Sequence, residues 1–248
     1  MWRVTLHILM RALVLSGGGL FGAWQAGAWS VLADRLVAER ALDLIVGASV
    51  GSLNGYVIAS GATPEDLRAM WLEPAFGRFA DLPANIRRMM ARYTPRIPFA
   101  ITATELPRMK PRIFRDSEIT WQHLAASCAL PLALPQVRIG PHWYSDGGLL
   151  GALPAWAAAE LGAKSIVGLQ ALPQPASWWL GQATRAFRAV AGHNPPVPAG
   201  IQVLEIRPGQ RLGSVRDTIQ WKRSNIERWL DQGAADATRA VTEKTFFF

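Results

Sequence analysis

The sequence predicts an α/β protein with three layers, in which helices cover both faces of a central, mostly parallel sheet. Short apolar runs alternate along the chain with longer stretches of helical periodicity, the pattern of repeated strand–helix units. The chain has 248 residues, half of them hydrophobic, which is enough for one sizeable core. We therefore expect residues 11–248 to form one domain, with the core motifs in 11–170 and further helices and a strand in 171–248.

The first two strand–helix units are the clearest, because in each an apolar run ends in a glycine turn before helical periodicity begins. Ala12–Leu15 predicts a buried strand, and Gly22–Leu36 predicts the helix that follows it. The second unit repeats this order, with a strand at Leu42–Val46 and a helix at Val50–Ser60. Two such units in succession favour parallel pairing of their strands.

The rest of the chain carries weaker signals. Thr63 can cap a helix that has Pro64 in its first position. Residues 75–98 contain prolines and arginines without a clear period, and we interpret them as an insertion or cap over the sheet. The other predicted elements are a strand at Phe99–Thr104, a helix at Thr120–Ala129, a hairpin formed by Val137–Ile139 and Trp143–Tyr144, a helix at Pro154–Leu161, strands at Ser165–Leu169 and Ile201–Ile206, and a mainly helical tail over 214–244.

The chain is basic, with 26 Lys and Arg against 18 Asp and Glu, which gives a net charge of +8. Such a balance favours nucleic acid, anionic membrane surfaces or acidic substrates as partners. The sequence contains neither zinc-ligand spacing nor a motif of aromatic and basic residues that reads RNA, so we expect no nucleic-acid partner and no metal.

The single cysteine, Cys128, excludes an intrachain disulfide, and its small apolar neighbours indicate a buried spacer rather than a nucleophile. No apolar run approaches the ~20 residues that span a bilayer. We interpret residues 1–9 as an upstream extension with Met10 as the natural start, because Met10 stands directly before the first strand. The segment before that strand is too short for a signal peptide. The expected location is cytoplasmic, with peripheral association at the inner face of the membrane.

The first glycine motif lies between the first strand and helix. Gly17, Gly19 and Gly22 fit G-x-G-x-x-G, the spacing of a dinucleotide-binding loop. An oxyanion hole would also need glycines here, because it too is built from exposed backbone N–H groups. A dinucleotide site requires an acidic residue at the end of the second strand, about 20 residues on. Glu39 lies before that strand, so the sequence disfavours a dinucleotide cofactor, and we expect none.

A second motif, Gly47-Ala48-Ser49-Val50-Gly51, ends the second strand and matches G-x-S-x-G. A serine on a sharp strand-to-helix turn projects its hydroxyl, and side chains on either side would crowd the backbone. Ser49 is therefore a candidate nucleophile. The helix that begins after it offers free N–H groups to nearby negative charge.

The nucleophile needs a base, and Asp146 in Asp146-Gly147-Gly148 is the leading candidate, because two glycines allow a carboxylate on a tight turn. A D-G-G sequence alone is usually only a turn. The chain order Ser49, Asp146, His193 also matches the triad order of α/β hydrolases. His193 lies in a loop rather than at a strand end, so the sequence favours the dyad over the triad.

Together, these motifs resemble the patatin-like phospholipases, acyl hydrolases that use a Ser–Asp dyad. The resemblance runs from about Arg11 to Leu169 and includes Thr102–Leu106 and Ser127–Pro131. It implies that Ser49 is the nucleophile and that Asp146 accepts its proton directly. It also implies an oxyanion hole formed by the backbone N–H groups of Gly17, Gly18 and Gly19. The other glycines of the family motifs are Gly22, Gly47, Gly51, Gly147 and Gly148.

The sequence departs from the family pattern at two places. Phe21 stands where the family often has Arg or Lys, so charge assistance from that position is absent. An asparagine that frequently follows the D-G-G, just before the proline, is missing from the segment that ends at Pro154. The second departure leaves open what supports the Asp146 loop.

Two segments suggest contact with a membrane surface. Trp178 and Trp179 precede Arg185, Phe187 and Arg188, a mixture of aromatic and cationic residues typical of interfacial helices. The alternative is that the tryptophans pack in a core. Met89 and Met90 beside Arg87, Arg88 and Arg92 suggest a second, mobile apolar edge. We expect peripheral binding to anionic membranes.

The function expected from the sequence is hydrolysis of lipid acyl esters, as by a phospholipase A, through an acyl-serine intermediate on Ser49. Acyl transfer to another acceptor is a related possibility, since it uses the same intermediate. Two alternatives from other classes stay open: a catalytically weak lipid-binding or regulatory protein on the same fold, and a nucleotide-binding oxidoreductase.

Overall fold

The computed structural model describes residues 10–38, 42–78, 81–131, 133–172 and 192–243. The described strands form one eight-stranded sheet. They are β1 (Arg11–Leu15), β2 (Leu44–Ala48), β3 (Phe99–Leu106), β4 (Lys110–Arg115), β5 (Val137–Ile139), β6 (His142–Ser145), β7 (Ser165–Leu169) and β8 (Gln202–Ile206). The described helices are α1 (Gly22–Ala38), α2 (Val50–Ala59), α3 (Pro64–Leu72), α4 (Leu82–Arg92), α5 (Trp121–Ser127), α6 (Ala155–Glu160) and α7 (Arg223–Glu243).

The centre of the sheet is parallel. β3, β2, β1, β7 and β8 lie side by side in that order, and all four neighbouring pairs are parallel. β4, β5 and β6 are antiparallel additions on the β3 side. The prediction of a mostly parallel sheet is confirmed. The carboxyl ends of the parallel strands consequently meet at one edge, which we call the carboxyl edge.

One feature of the pairing brings two chain segments together at this edge. β3 pairs with β4 over Ala100–Glu105, which occupies one side of β3. β2 and β6 must therefore share its other side, where Ala48 pairs with Thr102 and Ser145 pairs with Thr104. Since β2 is parallel and β6 antiparallel to β3, the two strands run toward each other and end there. The residues that follow them meet beside Ala103.

The sheet has helices on both faces, as predicted. Alternate residues of β1 point to opposite sides: Leu13 and Leu15 join a large core with α1, α2 and α7, while Ala12 and Val14 join a smaller core with α6. α1 and α7 pack in backbone contact, since a Cβ at Gly27 would lie 1.9 Å from the Leu230 carbonyl oxygen. Glycine is required there by the close approach.

The structure differs from the prediction in three segments. Residues 75–98 contain α4, whose Leu82, Ile86 and Met89 recur at helical spacing and are buried. β4 was not predicted, because it is an edge strand with only two adjacent apolar residues between prolines and cations. The tail turns helical only at Arg223, after a short 3-10 turn at Arg216–Thr218.

The structure tests one of the two segments that were predicted to contact a membrane. The proposed apolar edge at Met89 is wrong, because Met89 packs into the core and the Arg87 guanidinium stacks 3.7 Å over Trp121. Trp178 and Trp179 lie outside the described residues, as does the upstream segment 1–9. Within the described ranges, every helix is too short or too polar to cross a bilayer.

Candidate active site

Ser49 lies on the sharp turn between β2 and α2. Its φ of 52° and ψ of −129° are unusual for a residue with a side chain, and this backbone geometry projects the half-buried serine away from both elements. The glycines on either side are sterically required. A Cβ at Gly47 would lie 2.4 Å from the Gly51 carbonyl oxygen, and one at Gly51 would lie 2.3 Å from the Leu15 carbonyl oxygen.

Asp146 directly follows β6 and meets Ser49 where β2 and β6 converge. The aspartate is only 4% exposed. Burial raises its pKa from 3.8 to about 6, although hydrogen bonds with the Ser49 side chain and the Gly148 N–H favour the charged form. The Gly148 N–H donates to Oδ1 over 2.7 Å. The carboxylate therefore keeps one backbone donor and faces the serine, with a pKa close to neutral.

The end of α5 joins the two halves of this pair. The Ser127 hydroxyl accepts from the Ser49 N–H over 2.9 Å and donates to the Thr102 carbonyl over 2.8 Å. The Ser127 carbonyl accepts from the Gly147 N–H over 3.0 Å. Ser127 is fully buried, so these bonds form without competition from solvent. Sequence reasoning did not assign Ser127 any role.

The glycine loop after β1 packs against both halves. A Cβ at Gly17 would lie 3.3 Å from the Ser49 Cβ and 3.9 Å from the Gly148 Cα. The Gly17 N–H donates to the Ala152 carbonyl over 2.9 Å, so it is not free for another acceptor. The N–H groups of Gly18 and Gly19 have no acceptor among the residues that the structure describes. The loop thus fixes Gly17 beside Ser49 and leaves the N–H groups of Gly18 and Gly19 without a partner in the described structure.

With three motifs gathered at one edge of the sheet, comparison with known proteins identifies the family. A family model described as patatin-like phospholipase matches residues 13–107 and 91–159 of this chain. The chain belongs to the patatin-like phospholipase family. This membership supports lipid hydrolysis as the class of activity.

Relatives of the chain are named as a lysophospholipase or as patatin-like phospholipase domain-containing proteins. It is 28% identical over 183 residues to the lysophospholipase NTE1 of Debaryomyces hansenii, covering 63% of this chain and 11% of that protein. It is 26% identical over 209 residues to the patatin-like phospholipase domain-containing protein 6 of Homo sapiens, covering 68% and 14%. The chain spans less than a sixth of the length of these relatives.

A solved structure shows the same architecture. VipD from Legionella pneumophila matches with a TM-score of 0.56 at 12% identity, over 95% of this chain and 67% of that one. At this identity the likeness shows the fold alone, a mixed central sheet flanked by helices.

Both departures from the patatin-like pattern are accounted for in the structure. Phe21 is buried against Trp229, with ring centroids 5.0 Å apart in an edge-to-face contact, so it contributes to the core between α1 and α7. The loop after Asp146 is supported from elsewhere in the chain, because the Asn194 side chain donates to the Gly151 carbonyl over 3.1 Å. Asn194 lies far from the D-G-G in sequence, and no local pattern indicated it.

Three histidines lie in the described part of the chain, and each is either exposed or paired with another residue. His193 is exposed, His123 caps α5 and contacts Phe114, and His142 faces Glu105. Among the described residues, the Asp146 carboxylate accepts from the Gly148 N–H and lies near the Ser49 side chain, and no histidine bonds to it. The arrangement favours the dyad over the triad that includes His193.

Cys128 is buried, as predicted, and its thiol lies against the dyad. Burial raises the pKa of Cys128 far above its ordinary value, and the Asp146 carboxylate adds to this rise, despite hydrogen bonds with Ser52 and Ser49. The thiol is thus kept in its unreactive, protonated form. Within the described ranges, no cluster of His, Cys, Asp or Glu could hold a metal ion.

The glycine loop leaves little space for a dinucleotide. The 3-10 turn at Arg216–Thr218 lies on Gly19, where a Cβ would lie 2.3 Å from the Thr218 carbonyl oxygen. The strand that should supply a ribose-binding acid ends in Ser49 instead. The oxidoreductase alternative is therefore wrong on the geometry of the loop and on the family.

Proposed function

We propose that this chain is a serine acyl hydrolase that cleaves lipid esters through a Ser49–Asp146 dyad. The observation that carries the proposal is the approach of two residues at the carboxyl edge: Ser49, strained at the end of β2, and Asp146, buried with a pKa near 6. A general base works best when its pKa lies near the operating pH, and burial brings this aspartate toward that range. The ordinary pKa of 3.8 would make the carboxylate a much weaker base.

In the first half of the reaction, the Ser49 Oγ attacks the ester carbonyl carbon while Asp146 takes the hydroxyl proton. The carbonyl oxygen becomes negatively charged in the tetrahedral intermediate. We assign the N–H groups of Gly18 and Gly19 as the donors to this oxygen, since Gly17 is already paired with Ala152. Collapse of the intermediate expels the alcohol, which takes the proton from Asp146, and leaves an acyl-serine.

In the second half, water attacks the acyl-serine and Asp146 takes a proton from it. The same two N–H groups stabilise the second oxyanion. Collapse frees the fatty acid, and the proton returns from Asp146 to the Ser49 oxygen. Preorganised donors of this kind carry much of the rate in acyl transfer, and losing one typically costs ~10²–10³-fold.

Lipid esters are the proposed substrate class. The family name and that of the yeast relative, a lysophospholipase, both refer to phospholipids. The basic charge of +8 is consistent with a substrate presented among anionic headgroups.

The test combines covalent labelling with turnover. Wild type, Ser49→Ala, Asp146→Asn and His193→Ala are incubated with a fluorophosphonate probe and assayed with p-nitrophenyl butyrate and with a phospholipid. We expect labelling to be lost in Ser49→Ala, and turnover to be lost in both dyad variants. His193→Ala serves as the matched control and should keep both.

Two results would contradict the proposal. If the wild-type protein neither reacts with the fluorophosphonate probe nor releases fatty acid, the alternative of a lipid-binding protein without catalytic activity would be favoured. If His193→Ala loses turnover and Asp146→Asn keeps it, the general base would be His193, as in a triad, and not Asp146.

A further inference from the structure

We propose that the carboxyl edge of the sheet docks directly on an anionic lipid surface through a rim of exposed side chains around the dyad. The apolar members of this catalytic rim are Leu130, Trp143, Val215 and Ile219, and its cations are Arg108, Lys110, Arg216 and Lys222. The choice of lipid as the partner rests on the proposed function. The position of the rim comes from the structure alone.

The exposed apolar side chains are concentrated at this edge. Among the described residues, six large hydrophobic side chains are exposed, and four of the six belong to the rim. Leu130 follows the α5 segment that contacts the dyad, and Trp143 lies on β6 opposite the last residue of β3. Trp143 and Ile219 are each 49% exposed. Scattered exposed apolar residues are ordinary, but their grouping around one site indicates an interaction surface.

Residues 211–222, which we call the strap, hold the other side of the rim in place. The buried Leu212 anchors one end, where its carbonyl accepts from the Trp229 indole over 2.8 Å. Trp221 anchors the other end by donating to the Trp71 carbonyl over 3.3 Å. Between the anchors, Thr218 packs on Gly19, so the exposed Val215 and Ile219 are fixed beside the glycine loop. This preformed shape reduces the ordering cost of binding.

The rim also carries cations, and along the strap they alternate with its apolar residues, in the order Val215, Arg216, Ile219 and Lys222. Arg216 and Lys222 are exposed on the strap, and Arg108 and Lys110 are exposed at the turn between β3 and β4. The acid of the strap, Asp217, is engaged within it: its carboxylate accepts from the Ser214 N–H and hydroxyl over 2.8 and 2.7 Å. These bonds lower the pKa of Asp217, so its carboxylate stays charged, but the three cations Arg211, Arg216 and Lys222 outnumber this one acid and give the strap a net charge of +2.

A lipid surface fits this pattern better than a protein partner. Single apolar side chains separated by cations can insert between headgroups while the cations bind phosphates, and tryptophan favours this interfacial depth. A stable protein interface instead needs a continuous, closely packed apolar centre. The strap part of the rim packs on the glycine loop, and Leu130 directly follows Ala129, whose carbonyl accepts from the Asp146 N–H. Docking there would bring a membrane ester to the edge of the sheet that carries Ser49.

The experiment measures co-sedimentation of the full chain with phosphatidylcholine vesicles, with and without phosphatidylglycerol. The rim variants are Ile219→Asp and Arg216→Glu. The matched controls are Val203→Asp, at the amino end of β8, and Arg35→Glu, in the last turn of α1, since both residues are exposed far from the carboxyl edge. Unfolding midpoints check that every variant is folded.

We expect binding that requires phosphatidylglycerol, weakens with salt, and falls on the order of tenfold in each rim variant but not in the controls. Equal binding of the rim variants and wild type, equal binding to neutral vesicles, or no binding by wild type would each overturn the proposal. Ser49→Ala should bind like wild type. Binding that depends on the rim in a protein without esterase activity would therefore reject the proposed function and keep the docking surface.

Discussion

The backbone N–H of Ser49 donates to the hydroxyl of Ser127 over 2.9 Å, and that hydroxyl donates in turn to the Thr102 carbonyl over 2.8 Å. Through its own carbonyl, Ser127 also accepts from Gly147, the residue after Asp146. The buried hydroxyl of Ser127 therefore connects the Ser49 turn to β3, and the Ser127 carbonyl holds the turn that follows Asp146. Neither of these turns is held by its own flanking sequence alone.

Ser127→Ala should lower ester turnover and fluorophosphonate labelling by about tenfold to a hundredfold, because small displacements of reacting groups are costly. It should also destabilise the fold by about 1–3 kcal/mol, since it leaves the Ser49 N–H and the Thr102 carbonyl without their partner. Ser60→Ala is the matched control, because Ser60 is also buried but caps the opposite end of α2 from Ser49, where its hydroxyl donates to the Tyr56 carbonyl. Full activity in Ser127→Ala would restrict this residue to a role in stability.

The pH dependence of turnover should report Asp146. Its pKa of about 6 means that the base becomes protonated, and thus inactive, as the pH falls through that value. We expect kcat/KM for a soluble ester to fall about tenfold per pH unit below pH 6 and to be level above it. The unfolding midpoint is measured at each pH to exclude denaturation. A profile that stays flat down to pH 4 would argue against a buried aspartate as the base.

Asp146→Asn should gain stability at neutral pH while losing turnover. Because the pKa rises from 3.8 to about 6 on folding, the folded state binds the proton more tightly between these values. The contribution of Asp146 to wild-type stability is therefore fully present below pH 3.8 and is lost as the pH rises to about 6, a change of up to about 3 kcal/mol. The asparagine variant lacks this loss, which denaturant unfolding at pH 4.5 and 7.5 would measure. Asp34→Asn, at an exposed position on α1, is the control, and an equal pH response in both variants would contradict the prediction.

Gly19→Ala tests whether the glycine loop needs its close contact. A Cβ at Gly19 would lie 2.3 Å from the Thr218 carbonyl, and the residue has a φ of +56°. Gly140 has a φ of +58° but no atom within 4 Å of its Cβ position, so Gly140→Ala carries the backbone strain without the clash. Both variants should lose about 1–2 kcal/mol from the left-handed backbone. Only Gly19→Ala should lose turnover, by about tenfold or more, because the clash moves the Gly18 and Gly19 donors.

The parts of the site that sequence predicted are those with a local steric cause. The G-x-S-x-G spacing around Ser49 follows from backbone contacts within one turn and with Leu15, and the apolar runs predicted the parallel strands that carry the loops. The order of the motifs indicated the family, which the comparisons confirm. Because each of these signals depends on a few residues close together in the sequence, it can be identified from the sequence alone.

The unpredicted parts depend on contacts between distant segments. Ser127 and Asn194 act through hydrogen bonds to backbone groups far away in the chain, and a serine or asparagine in such a place has no distinctive local pattern. Phe21 could be identified as a departure, but its packing on Trp229 required the position of α7. Most of the strap, from Ser214 onward, lies in the tail that was predicted to be mainly helical. Its anchors, Leu212 and Trp221, form no periodic pattern, so the sequence did not indicate an irregular segment there.

The meeting of β2 and β6 along one side of β3 makes the approach of Ser49 and Asp146 a consequence of strand register. Ala48 pairs with Thr102 and Ser145 pairs with Thr104. The distance between Ser49 and Asp146 is therefore set by these two positions on β3 and not by the length of the loops. Insertions elsewhere between the two strands would leave that gap unchanged. A slip of β6 by a single residue would instead turn Asp146 to the opposite face of the sheet. The segments between these two strands could therefore gain or lose residues while the distance between Ser49 and Asp146 stays the same.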